Sequence, residues 1–244
     1  RSDSFVTAEY MLLTLAAAKA GATGRILKDA GITPTGPRPP TPTRGPLGKL
    51  APGHASPSAR QALPPLNFDY HAAPLKLADD GHTVRVRFGR GSELRIGKER
   101  YGLQQFHFHT PGGDRIAGAE FPMAAHLLHK SASGQLLAVV VLFRLGTENP
   151  LLASLLPLIP ARADGDHSPQ GAMVNAASLL PSGRGYFRYP GSLTAPPCTE
   201  GVEWIVLKQP LELSPAQLAR YRQRFADNAR AVQPLHGRVV LESP

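Results

Sequence analysis

The chain reads as a mainly β (α+β) fold, and three observations predict it. Glycine and proline number 24 and 25 in 244 residues, about a fifth of the chain against an average of ~12%. Both residues break helices, which disfavours a helical bundle. After Leu66, short apolar segments with strand periodicity alternate with turn signals. Only one segment carries a full set of helix-start signals.

Taken in order, Val6–Lys28, which contains MLLTLAAAKA, reads as a short helix or the remnant of a leader. With Arg1 where a methionine would start translation, a processed or trimmed product is expected. Gly31–Arg60 holds eight prolines and no acidic residue, so it cannot pack a core and should run as an irregular or polyproline-like surface arm. The expected boundary therefore falls between a basic, proline-rich arm, 1–65, and a domain spanning 66–244. Within the domain, His82–Phe88 (HTVRVRF) alternates. Val84, Val86 and Phe88 share one face, and Arg85 and Arg87 share the other. Asp80-Gly81 before it signals a turn. Gly102–Thr110, Phe121–Lys130, the continuously apolar Leu136–Leu145 and Val202–Leu207 are further strands. Ser214–Asn228 is the helix, with Ser214 as N-cap and Pro215 in the first turn.

Hydrophobic residues make up 42% of the chain, enough for a sizeable core. The apolar runs are shorter than the ~20 residues of a membrane helix. The net charge is +9, and most of it resides in the arm. Phe5 and Tyr10 are the arm's only aromatics, too few to stack nucleic-acid bases, so neither nucleic acid nor membrane is an expected partner. A single cysteine, Cys198, excludes an intrachain disulfide.

The sharpest chemical feature is Gln105-Phe106-His107-Phe108-His109. Strand side chains at i and i+2 point the same way, so the two histidines share a face and the two phenylalanines back them. Two imidazoles alone do not hold a zinc ion, and an isolated His-x-His is equally a packed or solvent-facing pair. His126, in PMAAHLLHK, offers a third ligand if its strand lies beside the first. Three histidines with an open fourth position suit a catalytic zinc. His129, three residues on, faces the other way.

The blocks PLNFDY, DDGHTVRV, QFHFHTP, PMAAHLLHK, GSLTAPPCTEGVEWIVL and NARAVQPLHGR together resemble the α-class carbonic anhydrases, especially bacterial ones. The resemblance runs from Leu66 to Arg238. It implies one domain built on a large, mostly antiparallel twisted sheet with a few peripheral helices. It implies zinc-dependent reversible hydration of carbon dioxide to bicarbonate and a proton. By that resemblance His107, His109 and His126 hold Zn2+, and Thr194 orients the attacking water. Leu128, Val139, Leu193, Val202 and Trp204 line the carbon dioxide pocket, and His82 passes the proton to solvent. Gln105 and the backbone of Asn228 support the first two histidines. The family also implies a periplasmic or secreted location and a monomer or homodimer.

The chain departs from the family at three supporting positions. Ala124 stands where the family has a glutamate, two residues before the third histidine. Gly112-Gly113-Asp114 replaces its Ser-Glu-His. Thr194 thereby loses its usual acceptor, unless the diglycine lets Asp114 swing inward. Glu120 lies six residues before His126, about 20 Å along an extended strand, too far to substitute. Two expectations follow: a working zinc lyase of reduced activity, or a relative that binds zinc without turnover.

Overall fold

The computed structural model describes residues 63–160 and 165–244. The arm before residue 63, with the helix expected at Val6–Lys28, lies outside the described residues. The strands are β1 (Leu66–Asp69), β2 (Ala73–Pro74), β3 (Leu77–Asp79), β4 (Val84–Arg87), β5 (Glu93–Ile96), β6 (Glu99–His109), β7 (Arg115–Ile116) and β8 (Ala119–Glu120). They continue with β9 (Met123–Ser131), β10 (Leu136–Leu145), β11 (Gly165–His167), β12 (Met173–Val174), β13 (Tyr186–Ser192), β14 (Glu200–Leu207), β15 (Leu211–Leu213) and β16 (Leu241–Glu242). Among the described residues two helices, α1 (Pro150–Leu155) and α2 (Pro215–Phe225), lie between them.

Twelve strands form one sheet whose main path runs β11-β3-β4-β6-β9-β10-β14-β13-β16. The sheet is mixed. β10 pairs in parallel with β14 and with β15, and the other pairings are antiparallel. The parallel step at β10 explains its sequence. Its Leu137–Phe143 core is buried on both faces, so it carries no polar alternation.

The two faces bury separate clusters. One is the main core, with Val84, Val86, Phe106, Phe108, Leu127, Val139 and Val141 among its members. The other face carries a smaller cluster of Ala124, Ala138, Val140, Leu142, Tyr189, Val202, Trp204 and Val206. Phe106 and Phe108 thus anchor β6 from beneath, while the residues between them emerge on the opposite side.

α2 begins as expected. Ser214 Oγ accepts from Gln217 N (3.2 Å), and Gln217 Oε1 accepts from Ser214 N (3.1 Å), a reciprocal cap. The helix ends at Phe225, three residues before its expected end. Ala226 is extended and Asp227 turns through φ 51. This early stop brings Asn228 back against the end of β6 and the turn that precedes β4.

His129 is fully buried in the opposite direction from His126, as its spacing requires, with Nε2 2.5 Å from the Tyr70 hydroxyl. Burial pushes its pKa down from 6.5 to about 4. Between those values the unfolded chain takes up a proton that the folded protein refuses, so stability falls as pH drops from 6.5 toward 4. A shift of this size corresponds to about 3 kcal/mol. Urea titrations should show that pH-dependent loss shrinking in His129→Gln, and an unchanged pH slope would contradict this origin.

Candidate metal centre

The central feature follows from strand register. β6 and β9 pair antiparallel so that His107 lies directly opposite His126, and His109 lies opposite Ala124. His109 follows His107 by two residues and shares its face. Ring centroids are 4.9 Å apart for His107–His109, 5.4 Å for His107–His126 and 4.4 Å for His109–His126. One ring nitrogen from each comes within 4.8 Å of the other two. Among the described residues this is the only such group. His109 and His126 are buried and His107 is half-buried.

The supporting contacts determine which nitrogens face inward. Asn228 O lies 3.0 Å from His109 Nδ1, and a carbonyl only accepts, so that nitrogen carries the proton. Gln105 Oε1 lies 2.9 Å from His107 Nδ1 in the same sense. The Nε2 atoms of both rings then present lone pairs, and these two atoms are 3.0 Å apart. Lone pairs facing at that distance repel unless a cation lies between them. Tetrahedral zinc with bonds of ~2.0–2.1 Å spaces its nitrogens by roughly 3.3 Å, so the donors fit that metal. Burial, then His109 and Arg85, hold His107 well below its ordinary pKa. It therefore stays neutral, the form that ligates.

Asn228 does more than accept from His109. Its Oδ1 accepts from Thr110 N (2.8 Å), and its Nδ2 donates to the carbonyls of Phe108 (3.1 Å) and His82 (2.9 Å). One side chain thus ties the end of β6 to the turn that bears His82. That turn is built by Asp80, whose Oδ1 accepts from His82 N (3.0 Å) and Thr83 N (2.9 Å). His82 is exposed at its rim.

The apolar side of the site is the smaller cluster. Val202 and Trp204 belong to it, and Leu128 and Leu193 pack against it. The Trp204 ring meets His126 edge-on, with centroids 5.1 Å apart. Its Nε1 donates to Ser192 O (3.0 Å), at the start of the loop that carries Thr194. Leu193 N donates to Thr199 O (2.9 Å) and closes that loop. Thr194 is half-buried, and its hydroxyl has no hydrogen-bond partner among the described residues. Val139 does not join this wall. It pairs with Leu127 and lies in the main core on the opposite face. Strand alternation instead presents its neighbours Ala138 and Val140 to the histidine side.

Asp114, whose inward swing the diglycine left open, is buried on this side. It is 1% exposed, and the Tyr189 hydroxyl donates to its Oδ1 at 3.5 Å. Gly113, at φ 80, makes the turn that sends it inward. Burial, and then the Asp114 carboxylate, push the Tyr189 hydroxyl well above its usual pKa.

Residues 54–244 match the family model for eukaryotic-type carbonic anhydrases. The chain belongs to the α-carbonic anhydrase family. A carbonic anhydrase of Pectobacterium carotovorum is 37% identical over 187 residues, covering 75% of this chain and 76% of that protein. One of Klebsiella pneumoniae is 41% identical over 183 residues, 74% of each chain. The solved α-carbonic anhydrase of Photobacterium profundum superposes with a TM-score of 0.75 at 34% identity, covering 82% of this chain and 91% of that one. The family catalyses reversible hydration of carbon dioxide with zinc, and the three-histidine group could hold such an ion. Ala124 is fully buried on the histidine face and brings only a methyl group there.

Proposed function

We propose that this protein interconverts carbon dioxide and bicarbonate at the His107–His109–His126 centre. The observation that carries the reading is the pair of ring nitrogens turned inward by Gln105 and Asn228, 3.0 Å apart and beside a third imidazole. When bound there, zinc supplies Lewis-acid activation of water at neutral pH. The chain's own residues do the rest. Leu128, Leu193, Val202 and Trp204, with Ala138 and Val140, form an apolar wall that receives carbon dioxide and excludes competing water. Thr194 accepts a hydrogen bond from the nucleophile and aims it. Gln105 and Asn228 lock the tautomers of two ligands, and Trp204 packs the third.

His82 takes the proton outward. It stands exposed at the rim, and its carbonyl is bound to the residue that supports His109. His82→Ala should lower kcat more than kcat/KM, and added imidazole buffer should restore part of kcat. Equal losses in both, without response to buffer, would make His82 a structural residue.

The test of the whole reading is the rate of carbon dioxide hydration, measured together with zinc content. The absence of a partner for the Thr194 hydroxyl favours a second reading, a zinc-binding relative without turnover. Zinc-loaded protein with no hydration above buffer would decide for it. A periplasmic or secreted location goes with the first reading, and cell fractionation tests it.

A further inference from the structure

On the side of the histidines away from the apolar wall stand two arginines, each paired with an aspartate, and nothing in the hydration of a neutral substrate calls for them. β4 runs antiparallel to β6 with Arg85 opposite His107 and Arg87 opposite Gln105. Directly opposed residues share a face, with Cβ atoms about 4.5–5.5 Å apart. Both arginines therefore rise on the histidine side, while Val84 and Val86 enter the main core. Their side chains stay 41% and 49% exposed. Each is tethered at one point. Arg85 Nη2 lies 2.5 Å from Asp80 Oδ2, and Arg87 Nη1 lies 2.8 Å from Asp166 Oδ2. Asp80 is itself held by the backbone of its turn, so Arg85 cannot wander. A guanidinium has five N–H donors, and one tether does not occupy them all.

We infer that Arg85, assisted by Arg87, forms a subsite for a small oxyanion, bicarbonate, beside the metal centre. The inference rests on the functional reading above and adds to it a way of sorting the two carbon species. Carbon dioxide is apolar and suits the Trp204 side. Bicarbonate carries a negative charge and planar oxygens, which a guanidinium binds through paired N–H groups. Arg85 stands directly opposite the ligand His107 in the strand register, so its charge lies beside the metal centre. A cation there opposes the binding of a metal cation, so metal retention does not explain its placement. Retention of an anion does.

The test is bicarbonate affinity of the metal-loaded protein. It is read as product inhibition of the zinc enzyme and, independently of activity, as the visible absorption change of the cobalt-loaded protein. In buffer of about 10 mM ionic strength, where screening extends over about 30 Å, Arg85→Gln should weaken bicarbonate about 5-fold or more and Arg87→Gln about 2-fold. Arg85→Lys should recover part of the loss. Asp80→Asn keeps a turn acceptor but removes the competing carboxylate, and should tighten bicarbonate. Neutral imidazole, a ligand for the same open position, should bind all variants alike. Salt near 0.5 M should shrink the differences between them. Unchanged bicarbonate affinity in both glutamine variants, or an equal loss for imidazole, overturns the subsite while leaving the hydration reading intact. An unmodified protein that takes up neither metal overturns both.

Discussion

Replacing His107, His109 and His126 together by alanine should take zinc from about one ion per chain to none and abolish hydration of carbon dioxide. His107→Ala alone should remove most of the metal at ordinary zinc concentrations. A complete zinc site contributes on the order of 10–16 kcal/mol, so one ligand of a small set accounts for about 3 kcal/mol, or roughly 100-fold in affinity. The fold should survive these changes. The imidazoles occupy the smaller side of the sheet, while Phe106, Phe108, Ala125 and Leu127 on the same strands hold the main core. Circular dichroism should therefore remain native, and added zinc should raise the melting temperature of the unmodified protein but not of the triple variant. Full zinc occupancy in a folded triple variant would refute the site.

Much of this site was legible because strands have a period of two. His-x-His on one strand and a lone histidine on the next specify a shared face, and register then places His107 opposite His126. The same rule explains the error at Val139. In an apolar run buried on both sides, Leu136–Leu145, nothing in composition tells which alternate set faces the ligands. Pairing settles it, because Val140 lies opposite His126 and Val139 opposite Leu127. The parallel pairing of β10 with β14 and β15 was likewise unreadable, since a doubly buried strand looks the same in either direction. Arg85 and Arg87 were visible as one polar face of HTVRVRF. Their importance was not, because it depends on β4 lying next to β6 and not at a free edge. For Asp114 the only signal was the diglycine before it. Its burial comes from a backbone turn and from Tyr189, seventy-five residues away.

Restoring the lost surroundings of the ligands should raise activity, and the structure shows the order in which the changes must be made. Ala124 is fully buried two residues before His126 and opposite His109. A glutamate there would place its carboxylate near His126, where it can accept a ring proton and hold the ring. Asp114 is already buried on this side and bound by Tyr189. Ala124→Glu alone therefore buries a second carboxylate on a face that already holds one, which destabilises the fold. Asp114→His removes that conflict and supplies a donor, so the two changes should be strongly non-additive. Gly113→Glu is the harder step. Its φ of 80 is a conformation that costs a side-chain-bearing residue about 1–2 kcal/mol, although this is the position where the family resemblance puts the acceptor for the Thr194 hydroxyl proton. We expect Ala124→Glu with Asp114→His to slow zinc loss about 10-fold, the scale of one partner restored to a metal-bound imidazole. Adding Gly113→Glu should raise kcat/KM by roughly 10-fold or more and lower the melting temperature. Zinc dissociation, hydration kinetics and thermal melting measured on the same samples separate these effects. A folded, zinc-loaded triple variant that hydrates carbon dioxide no faster than the unmodified protein would show that the missing carboxylates do not limit it. Turnover would then be set elsewhere, at the exit of the proton through His82 or the release of bicarbonate past Arg85.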